Sequence, residues 1–146
     1  MNIKKIAGIA ATVLVLNLTI VADVLADGVE TKCRVRPARS KVSVDAEGLG
    51  NGSYYAEVLS GGVTIKSADV QTISSSGDEV EFDFDSNTND IAEGATAIPF
   101  DFIKNRGVMG KIFKTTDGGV TGRLIEDDNA KCRVKKSKKR RVGGDD

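Results

Sequence analysis

The sequence predicts an all-β protein, an immunoglobulin-like β-sandwich of about seven to nine short antiparallel strands. Apolar and polar residues alternate in several short runs, as at Val42, Val44 and Ala46, which is the pattern that buries one face of a strand. Clusters of turn-forming residues, such as 48–53 and 115–119, separate these runs. Two cysteines lie near the ends of the same region, so we expect a disulfide between its N- and C-terminal strands. A small β-barrel is the alternative architecture.

Each alternating run predicts one strand. The clearest hairpin is KIFKTTDGGVTGRLI, residues 111–125, because its Asp-Gly-Gly turn can adopt the backbone angles that a tight turn requires. The predicted strands cover residues 31–36, 40–46, 53–60, 63–67, 68–73, 79–85, 108–114, 120–126 and 130–135.

Residues 87–97 interrupt the strand pattern and predict a crossover between sheets. Asp90 followed by Glu93 has the spacing of a capping box, so one helical turn is expected to begin at Ile91 and to end at Gly94. Pro99 cannot donate a backbone hydrogen bond, which excludes its own position from a central strand.

Residues 1–26 have the features of an export signal. Lys4 and Lys5 precede a largely apolar stretch, and Val24 and Ala26 fit the small-residue pattern of a cleavage site. We therefore expect a periplasmic or secreted protein that has no transmembrane segment after cleavage, with an uncleaved membrane anchor as the alternative. The expected organisation is a single β-sandwich domain at residues 27–135, followed by a disordered basic tail at residues 136–146.

Cys33 and Cys132 are the only cysteines in the chain. Export places them in an oxidising compartment, which favours a disulfide over two free thiols. A bridge that closes a loop of about 100 residues stabilises a fold by about 4 to 5 kcal/mol in the chain-entropy model. Because the two cysteines are far apart in sequence, neither a redox Cys-x-x-Cys motif nor a thiolate metal site is predicted.

The composition argues against an enzyme. The chain has no histidine, which removes the commonest general base and the Ser-His-Asp and Cys-His nucleophile systems. A pair of carboxylates could still hydrolyse a glycosidic bond, but only 5% of the residues are aromatic, which is few for a glycan cleft. We therefore expect a non-catalytic module with a binding or structural role and no required cofactor.

The acidic stretch EVEFDFDSNTNDIAEG, residues 79–94, has two interpretations. It can be a strand with inward-facing Phe82 and Phe84 that runs into a polar turn, or it can supply oxygen ligands for Ca²⁺. EF-hand spacing fails whether the loop begins at Asp83 or at Asp85, so only an irregular site fits. Such a site would make the protein a Ca²⁺-dependent adhesion or carbohydrate-contact module. The candidate ligands are Asp85, Asn87, Asn89 and Asp90, with Asp83 as an additional one.

The chain has 21 basic and 21 acidic residues, but the basic ones concentrate near the C-terminus. The basic C-terminal segment can be a solvated end, or it can bind an anionic envelope surface or an acidic polysaccharide. It contains no aromatic residues on which bases could stack, so we expect no sequence-specific nucleic-acid binding. The candidate contact residues are Lys135, Lys136, Lys138, Lys139, Arg140 and Arg141.

Overall fold

A computed structural model describes residues 28–75 and 77–136, which form ten β-strands and one short helix. The predicted signal peptide at residues 1–26 lies outside the described residues, as does the predicted tail beyond Lys136. The elements in chain order are β1 (Gly28–Arg36), β2 (Arg39–Glu47), β3 (Gly52–Ser60), β4 (Val63–Lys66), β5 (Gln71–Ile73), β6 (Val80–Asp85), α1 (Thr88–Ala92), β7 (Thr96–Ala97), β8 (Gly107–Thr115), β9 (Arg123–Lys131) and β10 (Arg133–Val134).

The strands form two sheets. The first sheet has the order β10-β1-β2-β6-β7, and the second has the order β4-β3-β8-β9, with β5 also paired with β3. The described strands leave open edges in both sheets, so the alternative of a small closed barrel is wrong for this part of the chain. The prediction of an all-β protein is confirmed, and so is the hairpin formed by β8 and β9.

The long strands pair antiparallel, as predicted, but two short strands pair parallel, which the sequence analysis did not predict. β10 runs parallel to β1, and β7 runs parallel to β6. A single residue, Cys132, separates β9 from β10. One residue cannot reverse the chain, so β10 keeps the direction of β9 while the chain crosses from the second sheet to the first.

The core lies between the two sheets. The predicted inward faces of β2 and β6 are confirmed, since Val42, Val44, Phe82 and Phe84 are at most 1% exposed. Burying such side chains contributes about 1.5 to 3 kcal/mol each relative to leaving them in water. The facing residues on β3 and β8 are Ala56, Val58, Val108 and Ile112.

The sheets approach closely at Gly110 of β8. A Cβ atom at this position would collide with the Thr31 hydroxyl of β1 and would lie 2.9 Å from Val44 Cγ2 of β2. The missing side chain therefore creates the space into which side chains of the first sheet pack.

The predicted disulfide joins Cys33 of β1 to Cys132, with a Cα–Cα distance of 4.7 Å. The backbone N–H of Cys132 also donates a hydrogen bond to the carbonyl oxygen of Arg106 at 2.8 Å. The bond closes a loop between residues 99 positions apart, which corresponds to the stabilisation of about 4 to 5 kcal/mol expected from sequence. A disulfide indicates a non-reducing, extracellular-type environment.

The helix begins earlier than predicted. Asn87, and not Asp90, is the N-cap residue, and its side-chain oxygen accepts a hydrogen bond from the backbone N–H of Asn89 at 2.9 Å. The helix then runs from Thr88 to Ala92, and Gly94 follows it with a φ of 114°. Asn is as good an N-cap as Asp, and here Asp90 is engaged in an ion pair with Arg39. None of the described residues belongs to a helix with the length and apolar content needed to span a bilayer.

Candidate anion-binding surface

The disulfide brings two basic sequences together. KCRVR (residues 32–36) surrounds Cys33, and KCRVK (residues 131–135) surrounds Cys132. In the ladder between β1 and β10, Arg34 lies opposite Arg133 and Val35 lies opposite Val134. The backbone N–H of Lys135 extends this pairing by donating to the carbonyl oxygen of Val35 at 3.0 Å. Since paired strands lie about 4.8 Å apart, the two sequences place their cations side by side.

On the outer face of the first sheet, basic and acidic residues lie in different rows along the strand direction. One row across four strands carries Arg133, Arg34, Lys41 and Asp85, which makes three cations next to one acid. Four residues further along the strands, the row is entirely acidic, with Glu30 opposite Asp45 and Asp45 opposite Glu81. A strand rises about 3.3 Å per residue, so roughly 13 Å separates the basic row from the acidic one. The outer face therefore has a basic end and an acidic end.

Three cations on this face have carboxylate partners. Lys32 contacts Glu30 at 2.9 Å and Asp45 at 3.0 Å, and hydrogen bonds to these two carboxylates hold the pKa of Lys32 above its usual range. Lys41 contacts Asp83 at 3.4 Å. Arg39 contacts the carboxylates of Asp85, at the end of β6, and of Asp90 in α1.

Four further cations near the disulfide, on β1, β9 and β10, make no ion pair with any residue in the described ranges: Arg34, Arg36, Lys131 and Arg133. All four side chains are exposed. Like charges directly opposite each other on paired strands are destabilising, as for Arg34 and Arg133. An anion bound between these side chains would remove that repulsion.

A groove runs along this end of the molecule, and we call it the basic groove. One wall comes from β1 and β2, and the other comes from the end of β9 and the start of β10. Two acidic residues also line the groove: Glu30 pairs with Lys32, and Asp128 accepts a hydrogen bond from the backbone N–H of Thr31 at 2.8 Å. The cationic residues that line the groove are Lys32, Arg34, Arg36, Arg39, Lys41, Lys131 and Arg133.

Two of the four predicted calcium ligands, Asp85 and Asp90, contact the same arginine. Arg39 binds the fully buried carboxylate of Asp85 through two hydrogen bonds, Nε to Oδ1 at 2.9 Å and Nη2 to Oδ2 at 2.5 Å. The same Nη2 atom lies 2.8 Å from Asp90 Oδ2. Asn87 caps α1, and the Asn89 side chain is exposed. The guanidinium therefore takes the central position that a metal ion would need.

Asp83, the additional candidate, lies apart from this group and pairs with Lys41 through Oδ2. Its other oxygen, Oδ1, is buried and has no hydrogen-bond partner within the described residues. In those residues no group of three or more acidic or cysteine side chains has a geometry suited to a metal ion. The calcium site stays a prediction, and the Arg39 ion pair is the observation against it.

Asp85 is held in its charged form. Burial alone would raise the pKa of Asp85, but the hydrogen bonds from Arg39 and from the backbone N–H of Asn87 outweigh burial and lower it. The same contacts raise the pKa of Arg39. This ion pair joins the end of β6 to the start of β2, and Arg39 is one of the residues that line the basic groove.

Of the six basic tail residues proposed from sequence, the structure describes Lys135 and Lys136, and both are exposed. Lys138, Lys139, Arg140 and Arg141 lie outside the described residues. The sequence analysis did not identify the unpaired cations on β1 and β10 as candidates. The sequence did contain a signal for these cations. Each cysteine has basic residues on both sides, so a disulfide between the two cysteines brings those residues together.

Comparison with protein-family models, with curated proteins and with solved structures finds no significant match for this chain.

Proposed function

We propose that this protein is an exported, non-catalytic binding module, periplasmic or secreted, that contacts an anionic surface of the cell envelope through the basic groove. The observation that carries this proposal is the row Arg133, Arg34 and Lys41 beside the disulfide. Two arginines that face each other without a carboxylate cost stability in the free protein. A bound polyanion would compensate for that cost.

Two features support an immunoglobulin-like β-sandwich as the specific architecture. Two mainly antiparallel sheets share one core, and the longest strands contribute alternating residues to it. The chain has no tryptophan, and its disulfide joins the terminal strands. The proposed likeness to immunoglobulin domains is therefore one of architecture alone.

The absence of histidine supports a non-catalytic role, and so does the pairing of Cys33 with Cys132. A thiol in a disulfide cannot act as a nucleophile in its oxidised form. Binding an anion, by contrast, needs only positioned positive charge, which the basic groove has.

The magnitude of the interaction is sufficient for a reversible contact. Each basic residue near an anionic surface contributes about 1 kcal/mol at physiological salt. The four unpaired cations of the groove therefore supply about 4 kcal/mol, and Lys135 and Lys136 add to this from the adjoining segment. The contact should weaken steeply with salt, because exposed charges are screened over about 8 to 10 Å.

Retention on immobilised dextran sulfate tests the proposal. The double variant Arg34→Ser and Arg133→Ser should bind about 10- to 30-fold more weakly than the unmodified protein, since two charges are lost. The matched control is Lys111→Ser and Lys114→Ser on β8 of the second sheet, which removes the same net charge outside the basic groove. Equal losses in the two double variants would show that only net charge matters and would overturn the proposal. Absence of any retention by the unmodified protein would overturn it as well.

A further inference from the structure

A second groove adjoins the basic groove, and its floor is apolar. Its apolar lining comes from the segment before β8 and from the ends of β1 and β10. Phe100 is 61% exposed and Val134 is 46% exposed, so two large apolar side chains at this end of the protein face water. We call it the amphipathic groove, and its principal lining residues are Val35, Phe100, Ile103, Val134, Arg36, Lys104, Lys135 and Lys136.

Phe100 is exposed because it lies in a turn whose backbone is held in place by hydrogen bonds. Ile98 and Phe102, on either side, are buried, with only 5% and 3% of their surface exposed. The backbone N–H of Phe102 donates to the carbonyl oxygen of Pro99 at 3.0 Å, which closes a turn with Phe100 near its tip. The Ser40 hydroxyl donates to the carbonyl oxygen of Phe100 at 2.7 Å. The backbone is thus held on both sides while the ring projects outward.

Cations line the same groove as this ring. Arg36, Lys135 and Lys136 are exposed and have no ion-pair partner among the described residues, and Arg36 also lines the basic groove. Lys104 pairs with the exposed carboxylate of Asp101 at 2.7 Å. The amphipathic groove therefore combines an aromatic tip with a cluster of positive charge at the same end of the first sheet.

We propose that the anionic partner of this protein is a lipid bilayer. In this proposal Phe100 inserts between anionic head groups, and the cations of the amphipathic groove contact the phosphates of those head groups. The inference rests on the proposed function and names its partner. Aromatic rings beside basic residues are typical of surfaces that lie in a membrane interface, where the ring takes the apolar zone and the cations take the phosphates. A polysaccharide bound through charge alone would use the cations and would leave the fixed, exposed Phe100 without a role.

Val120 provides a matched control for Phe100. It is 79% exposed, but it lies in the loop between β8 and β9, beyond the end of β8 that is farther from Phe100. β8 has nine residues and is roughly 26 Å long, and the two positions belong to the segments at its opposite ends. A non-specific hydrophobic attraction to lipid would involve both residues, whereas the proposed orientation involves only Phe100.

The test uses protein recovered after export, with its N-terminus first established by mass spectrometry. Phe100→Trp and Val120→Trp are compared, because the natural sequence has no tryptophan to interfere. Vesicles that contain phosphatidylglycerol should shift the fluorescence emission of F100W to shorter wavelength and leave V120W unchanged. Vesicles of phosphatidylcholine alone should shift neither variant.

Cosedimentation with the same vesicles gives the size of the effect. Phe100→Ser should reduce binding to the phosphatidylglycerol vesicles about ten-fold, and Val120→Ser should not change it. Neither substitution should change retention on dextran sulfate, which depends on charge. This combination of results would support insertion of Phe100 into the bilayer.

Three other outcomes are distinguishable. Retention on dextran sulfate without binding to anionic vesicles would overturn the lipid inference and leave the proposed function standing, with a polysaccharide as the partner. Vesicle binding with no emission shift in F100W would overturn the insertion of Phe100, and with it this inference, and would leave the proposed function standing as a contact made by charge alone. Failure to bind both dextran sulfate and anionic vesicles would overturn the lipid inference together with the proposed function.

Discussion

Arg34 and Arg133 face each other across the parallel ladder between β1 and β10, next to the disulfide that holds the two strands together. Neither guanidinium forms an ion pair with a described residue. Side chains in this position usually contribute to the stability of a sheet through attraction or packing. Here the pairing concentrates positive charge at one end of the fold.

Reversing one of these charges should stabilise the protein. Arg133→Glu replaces a repulsive cross-strand pair with an attractive one, which is expected to raise the free energy of unfolding by about 0.5 to 1 kcal/mol. The melting temperature should rise by about 2 to 6 °C at low salt, and the gain should shrink in about 1 M salt. The same variant should bind dextran sulfate less tightly. A lower melting temperature would show that Arg133 has a stabilising partner.

Removing the Asp85 carboxylate should be strongly destabilising. Asp85→Ala leaves Arg39 without its main partner at a site where the aspartate is fully buried, so the loss is expected to be about 3 kcal/mol. Asp101→Ala breaks an exposed ion pair with Lys104 and should cost less than about 0.5 kcal/mol. Urea denaturation of the two variants measures both values. Similar losses for the two variants would contradict a structural role specific to Asp85.

Acid should weaken the same ion pair. The pKa of Asp85 is lower in the folded protein than its ordinary value of 3.8, so the folded state favours the charged form. The contribution of this group to stability is therefore complete above the ordinary pKa and is lost as the pH falls below it, through the lower pKa of the folded state. Thermal melts between about pH 6 and pH 2 should show a steeper decline for the unmodified protein than for Asp85→Ala. Parallel declines would count against this assignment.

Calcium should have little effect on stability. The Arg39 guanidinium already contacts the carboxylates of Asp85 and Asp90, and an ion would have to displace it. At about 5 mM Ca²⁺ we expect no heat in calorimetric titration and no shift in melting temperature. A millimolar extracellular site would instead raise the free energy of unfolding measurably, by the linkage between binding and folding. An observed shift would restore the calcium-dependent adhesion hypothesis.

Reducing the disulfide should lower stability and binding together. Loss of the bond between Cys33 and Cys132 is expected to lower the free energy of unfolding by about 4 to 5 kcal/mol. It also releases the short β10 from β1, so the groove should bind dextran sulfate less tightly even where the protein stays folded. Intact mass should increase by two hydrogens on reduction. No mass change would contradict the disulfide itself.

Local pattern was sufficient for much of the fold. Alternation of apolar residues identified β2, β3 and β6, and the Asp-Gly-Gly turn identified the hairpin of β8 and β9, because burial on one face and positive backbone angles are imposed residue by residue. Alternation could not predict the strands β7 and β10, because two residues are too few to show a period. Their parallel pairing depends on where the connections that precede them place the chain in the tertiary structure.

The candidate site, like the fold, was predicted only in part from the sequence. The sequence by itself determined the disulfide, the inward phenylalanines of β6 and the excess of basic residues near the C-terminus, because these follow from composition and spacing. Only the tertiary structure decided that Arg39 lies among the proposed calcium ligands and that Arg34 lies opposite Arg133. Both contacts join residues more than 40 positions apart, and the field around a charged side chain depends on which distant charges the fold brings within a few ångströms of it.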